Sequence, residues 1–122
     1  MSTATNRNKS LRFRELVALV LQAEGLPAVK KTEPKLLSEA IRDERERGGI
    51  QGIANWFIHS RNEVTRDLSG GLDEAQRDAE HDGKSKCAVV WRRHGRPAGD
   101  SYVVMPLTVF AAVLREETER IK

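Results

Sequence analysis

The sequence is poor in cysteine, in aromatic residues and in long apolar runs, and each shortage excludes a class of protein. Its 122 residues include a single cysteine, Cys87, which rules out an internal disulfide and a zinc site built from several cysteines. No segment approaches the roughly 18 apolar residues of a membrane span, and no apolar signal core follows the polar start of the chain. We therefore expect a protein of the reducing cytoplasm that does not enter a membrane.

What the chain does contain is typical of one well-solvated domain. Hydrophobic residues make up 39% of the sequence and charged residues 32%, whereas aromatic residues reach only 5%, so aliphatic side chains must carry most of the packing. We expect a disordered polar tail over residues 1–9 and a single domain over residues 10–122. The net charge of +3 permits contact with nucleic acid without demanding it.

Apolar spacing and capping residues predict the elements of the first half of the chain. A helix begins after the N-cap Ser10 and ends before Gly25. Its buried face is predicted to comprise Phe13, Leu16, Val17, Val20 and Leu21. A short strand follows Pro27, a second helix covers residues 33–47, and an apolar run predicts a central strand over residues 53–61.

The second half of the chain continues the alternation of helices and strands. A turn at residues 67–71 precedes a helix over residues 72–83, and two strands, over 86–93 and 100–107, are joined by the loop HGRPAG. A last helix starts after the N-cap Thr108. Its buried face is predicted to comprise Val109, Phe110, Val113 and Leu114. This order predicts an α/β fold, a mixed central sheet flanked by helices.

The stretch GGIQGIANWFIHSRNEV at residues 48–64 resembles the PD-(D/E)XK nuclease superfamily, in particular its Holliday-junction-resolvase-like proteins of phages and prophages. The framework residues Trp56, Ile58 and Asn62, the LDEA helix and the SYVVMPLTVF segment carry the resemblance over most of the chain. It implies a restriction-endonuclease-like fold, a location in the cytoplasm of a bacterial host cell, and a homodimer.

The positions at which that family carries its catalytic groups hold other residue types here. The family's two acids and one lysine correspond to Gly49, His59 and Arg61, whereas a further acid of its first helix corresponds to Glu15. Magnesium prefers hard oxygen ligands, which glycine and a neutral imidazole do not supply, and an arginine stays charged and cannot act as a base. We therefore interpret the catalytic motif as degenerate and expect no metal ion and no cofactor.

Three functions follow as hypotheses. The first is a protein that binds DNA without cleaving it, although ordinary surface solubility accounts equally well for its basic residues. The residues expected to contact phosphates are Arg61, Lys84, Lys86, Arg92, Arg93 and Arg96. The second is an active endonuclease or junction resolvase dependent on magnesium or manganese, with relocated carboxylates such as Glu15 and Glu63. The third is a phage protein that binds and modulates a host protein.

Two side chains have alternative interpretations. His59 is either a ligand or general base, or a structural histidine, and the structural role is favoured because no second histidine or cysteine lies at a ligand spacing. Trp91 is either a core residue or a platform on which a base stacks, and the core role is favoured.

Overall fold

Three helices and five strands make up the part of the chain that the computed structural model describes, residues 3–30 and 49–121. In chain order they are α1 (Thr3–Ala23), β1 (Val29–Lys30), β2 (Gly49–Gln51), β3 (Trp56–Arg61), α2 (Leu68–His81), β4 (Lys86–Trp91), β5 (Tyr102–Val104) and α3 (Leu107–Ile121). This order confirms the predicted α/β class. None of these helices has the length and apolar character that crossing a bilayer requires.

The strands form one mixed sheet in the order β1-β2-β3-β4-β5. Strands β3 and β4 are parallel, with Trp56 paired to Lys86 and Arg61 paired to Trp91, while the other neighbouring strands are antiparallel. Helix α2 makes the crossover between β3 and β4, as a parallel connection requires. The predicted central strand and the predicted pair of C-terminal strands are therefore confirmed.

Each face of the sheet buries its own apolar cluster, because successive strand residues point to opposite faces. The cluster beneath α2 comprises Phe57, Ala75, Ala79, Cys87, Val89 and Trp91. The cluster beneath α1 comprises Phe13, Val17, Ala28, Ile50 and Ile58. Helices α1 and α2 thus cover opposite faces of the sheet.

Helix α1 begins earlier than the sequence analysis predicts. It starts at Thr3, so Ser10 is not its N-cap and the predicted disordered tail over residues 1–9 overlaps a helix. No glycine or proline interrupts this stretch, and a helix that is anchored by buried residues farther along can continue toward its N-terminus. The predicted end is confirmed, since Gly25 has a φ of 91°, a left-handed conformation that favours glycine after a helix.

The buried face of α1 is also rotated relative to the prediction. Arg14 and Ala18 are buried together with Phe13 and Val17, whereas Leu16 is 46% exposed. The buried face of α1 is shifted by about one residue from the predicted face. The position of the sheet, in addition to the hydrophobicity of the helix, determines which side of α1 is covered.

The turn predicted at residues 67–71 is wrong, because α2 already begins at Leu68. Asp67 is the N-cap, and its carboxylate accepts a hydrogen bond from the backbone N–H of Gly70 at 2.9 Å. Gly71 is buried, and a Cβ at this position would lie only 2.6 Å from Cη2 of Trp91. Glycine therefore permits the first turn of α2 to lie close to β4.

Strand β2 is absent from the sequence-based prediction, since its three residues have no informative alternation and depend on β1 and β3 for pairing. The second helix predicted over residues 33–47 lies outside the described residues.

The buried face predicted for the last helix is wrong: Phe110 is 45% exposed and Leu114 51% exposed, and no described residue of α3 is buried. Thr108 lies within the first turn of α3 rather than before it.

Candidate functional site

The sheet brings together the three positions at which the resemblance locates catalytic groups. Gly49 of β2 and His59 of β3 are direct partners in the antiparallel register. Arg61 lies two residues beyond His59 and therefore projects from the same face of β3. That face is covered by α2, so the surroundings of these positions are set by side chains of α2.

Helix α2 supplies two carboxylates to this place. Glu74 and Asp78 are four residues apart and so share one side of the helix. Oδ2 of Asp78 lies 3.0 Å from Nε2 of His59. Ligand atoms of His59, Glu74 and Asp78 all lie within 4.8 Å of one another. We name these three residues the His59 cluster.

His59 is the buried member of the cluster, with only 2% of its surface exposed. Burial lowers the pKa of His59 below its ordinary value of 6.5, although the hydrogen bond and the negative charge of Asp78 act in the opposite direction. The imidazole is therefore neutral at neutral pH, and its Nε2–H donates to the carboxylate of Asp78, a tautomer that we assign from the hydrogen bond.

Arg61 lies beside the His59 cluster and is engaged by acids of the same chain. Its guanidinium donates to Glu74 and, at 3.0 Å, to Oε1 of Glu63, while its Cζ lies 5.6 Å from the centre of the Trp91 ring. The guanidinium that the sequence analysis predicted to contact DNA phosphates is therefore already bound to two carboxylates of the same chain.

The charge of this region is negative. Three carboxylates, those of Glu63, Glu74 and Asp78, surround the single guanidinium of Arg61 and a neutral imidazole. An excess of carboxylates at short range attracts a cation and repels a phosphate. The region is therefore suited to a cation rather than to a bare phosphate group.

The magnesium ion implied by the resemblance does not fit the inherited positions. Gly49 has no side-chain ligand, His59 presents a nitrogen, and Arg61 presents a cation, whereas magnesium requires oxygen ligands. Of the two relocated acids proposed from the sequence, one lies beside Arg61 and the other on the far side of the sheet. Glu63 follows the end of β3 and contacts Arg61, and Glu15 is on α1, which covers the opposite face of the sheet.

The predicted basic residues divide between the two ends of β4. Lys84 and Lys86 lie at its start, whereas Arg92, Arg93 and Arg96 follow its end. Lys86 is used within the fold: its Nζ lies 2.7 Å from Oε1 of Glu116 and its side chain is only 15% exposed. The structure therefore does not gather these residues into one strip.

At the C-terminal ends of β3 and β4, arginines gather around an aromatic ring. The guanidinium carbons of Arg66 and Arg93 lie 4.8 Å and 5.6 Å from the centre of the Tyr102 ring. Arg66 also donates to the backbone carbonyl of Arg92 at 3.1 Å, and Arg92 donates to Oδ1 of Asn62 at 3.2 Å. We name this group the arginine edge; it comprises Arg66, Arg92, Arg93, Arg96 and Tyr102.

The core interpretation of Trp91 is confirmed, since this side chain is 1% exposed and packs beneath α2. Tyr102 is the aromatic residue that reaches solvent at the arginine edge, being 43% exposed. The sequence analysis missed Arg66, Tyr102, Glu74 and Asp78. The spacing of Glu74 and Asp78 on a predicted helix could have indicated that they share one side of it. Their distance from His59 could not be predicted, because it depends on the geometry of the β3–α2–β4 crossover.

A scan against protein-family models and searches of curated proteins and of solved structures find no match to this chain.

Proposed function

We propose that the protein is a DNA-binding protein of phage or prophage type with a restriction-endonuclease-like fold and no magnesium-dependent cleavage at the inherited positions. The fold proposal is supported by a mixed sheet whose parallel strands β3 and β4 are joined by α2. It is supported further by the proximity of Gly49, His59 and Arg61, which the resemblance requires of the catalytic positions.

The observation that carries the DNA-binding proposal is the position of Arg66 and Arg93 beside the half-exposed Tyr102. Stacking on a ring and hydrogen bonds to carbonyl and amide oxygens hold the guanidinium planes in place, which lowers the entropy lost on binding phosphate. Arg96 extends the same basic surface, with only a distant partner in Asp100 at 3.9 Å.

The test is binding of fluorescently labelled duplex and four-way-junction DNA, measured by anisotropy over a range of salt concentrations in the presence of a chelator. We expect affinity to fall with salt because phosphate binding releases counterions, with a logarithmic slope of about three to four if all four arginines contact phosphates. An absence of binding at low salt would contradict the proposal and favour the alternative of a host-protein partner.

A second candidate function is cleavage of DNA by a metal ion held by relocated acids. The observation that favours it is the approach of Glu74 and Asp78 to His59, which places carboxylates of α2 where the inherited acids are missing. Incubation of supercoiled plasmid and junction DNA with magnesium, manganese or zinc tests it. Strand scission that Asp78→Asn abolishes would establish this function and refute binding without cleavage; scission that persists in this variant points to a contaminating nuclease.

We also propose that two copies of the chain pair through α3, as the resemblance implies a homodimer. Exposed apolar side chains recur along one side of this helix at Leu107, Phe110, Leu114 and Ile121. An exposed apolar stripe of this spacing commonly packs against another helix.

A further inference from the structure

We infer that the His59 cluster is a binding site for a divalent transition-metal ion, of which zinc and manganese are the appropriate probes. The site differs from the inherited nuclease site because two of its three ligands, Glu74 and Asp78, come from α2 rather than from the sheet. This inference does not depend on DNA binding by the arginine edge.

The separation of the ligand atoms of His59 and Asp78 is close to that of two ligands around one ion. Metal ions of this class lie about 2.0–2.2 Å from nitrogen and oxygen ligands, so two ligands are about 3.4 Å apart around a tetrahedral ion and about 3.0 Å apart at the right angle of a six-coordinate ion. Nε2 of His59 and Oδ2 of Asp78 are 3.0 Å apart. The ligand atom of Glu74 lies within 4.8 Å of the other two, and this side chain must turn from Arg61 toward them to complete the set.

The ligand types select the metal. A neutral imidazole with two carboxylates suits zinc, manganese and their neighbours in the transition series, whereas magnesium and calcium prefer sites made of oxygens alone. An ion that binds Nε2 takes the place of the proton that this nitrogen donates to Asp78, and that proton moves to Nδ1, so the imidazole stays neutral. Three protein ligands leave further coordination positions for water or an anionic ligand.

Arg61 competes with the ion for one of the ligands. Its guanidinium is bound to Glu74, so an ion must take this carboxylate away from Arg61. Once the ion holds Glu74, the exposed Glu63 is the carboxylate partner that the guanidinium retains among the described residues. Metal binding therefore releases Arg61 next to a cation, an arrangement that attracts an anion such as a phosphate.

The experiment measures zinc, manganese and magnesium binding to the full chain by calorimetry at neutral pH. The exposed histidines are first removed by His81→Gln and His94→Gln, which leaves His59 as the only histidine. We expect zinc and manganese to bind with a stoichiometry of one and magnesium to bind much more weakly. Loss of zinc binding in this background would show that surface histidines were the ligands and would overturn the inference.

Matched variants of α2 locate the site. Glu74→Gln and Asp78→Asn remove ligands while preserving shape, and each should weaken zinc binding by about 10–100-fold or more. Their controls, Glu80→Gln and Asp73→Asn, remove the same charges from exposed positions of the same helix and should change affinity little. Equal losses in ligand and control variants would contradict the inference, because they would indicate diffuse attraction to an acidic helix.

Arg61→Gln provides a variant in which affinity should rise rather than fall. It removes the competing cation from Glu74, so zinc should bind about tenfold more tightly or better while the far-ultraviolet circular dichroism stays that of the wild type. An unchanged or weaker affinity in this variant would contradict the competition between Arg61 and the ion. DNA binding measured in chelator is unaffected by any of these outcomes, so the failure of one proposal is distinguishable from the failure of the other.

Discussion

The imidazole of His59 and the carboxylate of Asp78 are joined by a hydrogen bond of 3.0 Å that ties the middle of β3 to the C-terminal half of α2. The two partners differ in exposure, since His59 is buried while Asp78 remains 22% exposed. A buried donor keeps its hydrogen bond only if the acceptor is held nearby, and α2 holds Asp78 there. The bond therefore links the stability of the α2–sheet packing to the integrity of the candidate metal site.

Asp78→Ala should destabilise the protein by about 1–3 kcal/mol, because it leaves the buried Nε2–H of His59 without a partner. The free energy of unfolding in urea, measured in the presence of a chelator, gives the value. Asp73→Ala makes the same change at an exposed position of α2 and shares the gain in helix propensity, so the difference between the two variants isolates the hydrogen bond. Equal stabilities of the two variants would show that this bond contributes nothing.

Stability of the metal-free protein should fall as the pH is lowered below about 6.5. Burial lowers the pKa of His59 in the folded state, whereas the unfolded chain titrates near 6.5, so between these two pKa values the unfolded chain binds more protons. Acid in that window therefore favours unfolding. The measurement is the free energy of unfolding against pH for the wild type and for His59→Gln.

The His59→Gln variant should lose less stability than the wild type over this pH window, whereas His81→Gln, which changes an exposed histidine at the end of α2, should retain the wild-type profile. Parallel profiles for the wild type and His59→Gln would contradict a lowered pKa for His59.

Gly71→Ala should destabilise the protein even though alanine is the better helix former. The added Cβ would lie 2.6 Å from Cη2 of the buried Trp91, and overpacking of this kind costs about 1–3 kcal/mol, which offsets the roughly 1 kcal/mol gained in helix propensity. Thermal unfolding measures the net effect. Gly99→Ala is the control, because nothing lies within 4 Å of a Cβ at that position; a Gly71→Ala variant more stable than the wild type would refute the close packing of α2 on β4.

Arg66→Gln and Arg93→Gln should each weaken DNA binding and lower the slope of its salt dependence by about one, because each removes one phosphate contact at the arginine edge. Anisotropy titrations at several salt concentrations provide both quantities. Arg77→Gln removes the same charge from an exposed position of α2, away from Tyr102, and should leave the slope near that of the wild type. A loss of affinity common to all three variants would indicate only a general dependence on net charge.

Phe110→Glu should convert a dimer into a monomer if α3 forms the interface between two copies. The change places a charge in the exposed apolar stripe of α3, where packing against a second helix would require its burial. Light scattering coupled to size-exclusion chromatography measures the mass. Leu19→Glu, on the exposed side of α1, is the control that should leave the mass unchanged. A monomeric wild type would refute the proposed dimer directly.

Local sequence patterns were sufficient to predict those elements whose conformation depends on a few neighbouring residues. The apolar run around Phe57, the loop between β4 and β5, and the glycine at position 25 each carry their signal within a few residues. Strand β2 could not be found in this way, because it is defined by hydrogen bonds to β1 and β3 rather than by its own three residues. The start of α2 was misplaced because Gly70 and Gly71 resemble a turn until their contacts with Asp67 and Trp91 are known.

The candidate site was predicted on the strand and missed on the helix. His59 and Arg61 were singled out by comparison with a motif that also contains Glu63, but Glu74 and Asp78 are separated from this motif in sequence by the β3–α2 connection. Only the crossover geometry brings Glu74 and Asp78 to the strand. The phosphate-binding role predicted for Arg61 likewise ignored partners that become neighbours only in the folded chain.

The register of the parallel strands has a consequence for how this molecule can change through mutation. Phe57, His59 and Arg61 alternate along β3 with Ile58, so a slip of a single residue against β4 would turn Ile58 toward α2 and the other three toward α1. Insertions that shift this pairing are therefore excluded from the strands, and length variation must be confined to the connecting segments. The His59 cluster and the apolar cluster beneath α2 therefore depend on the same strand register.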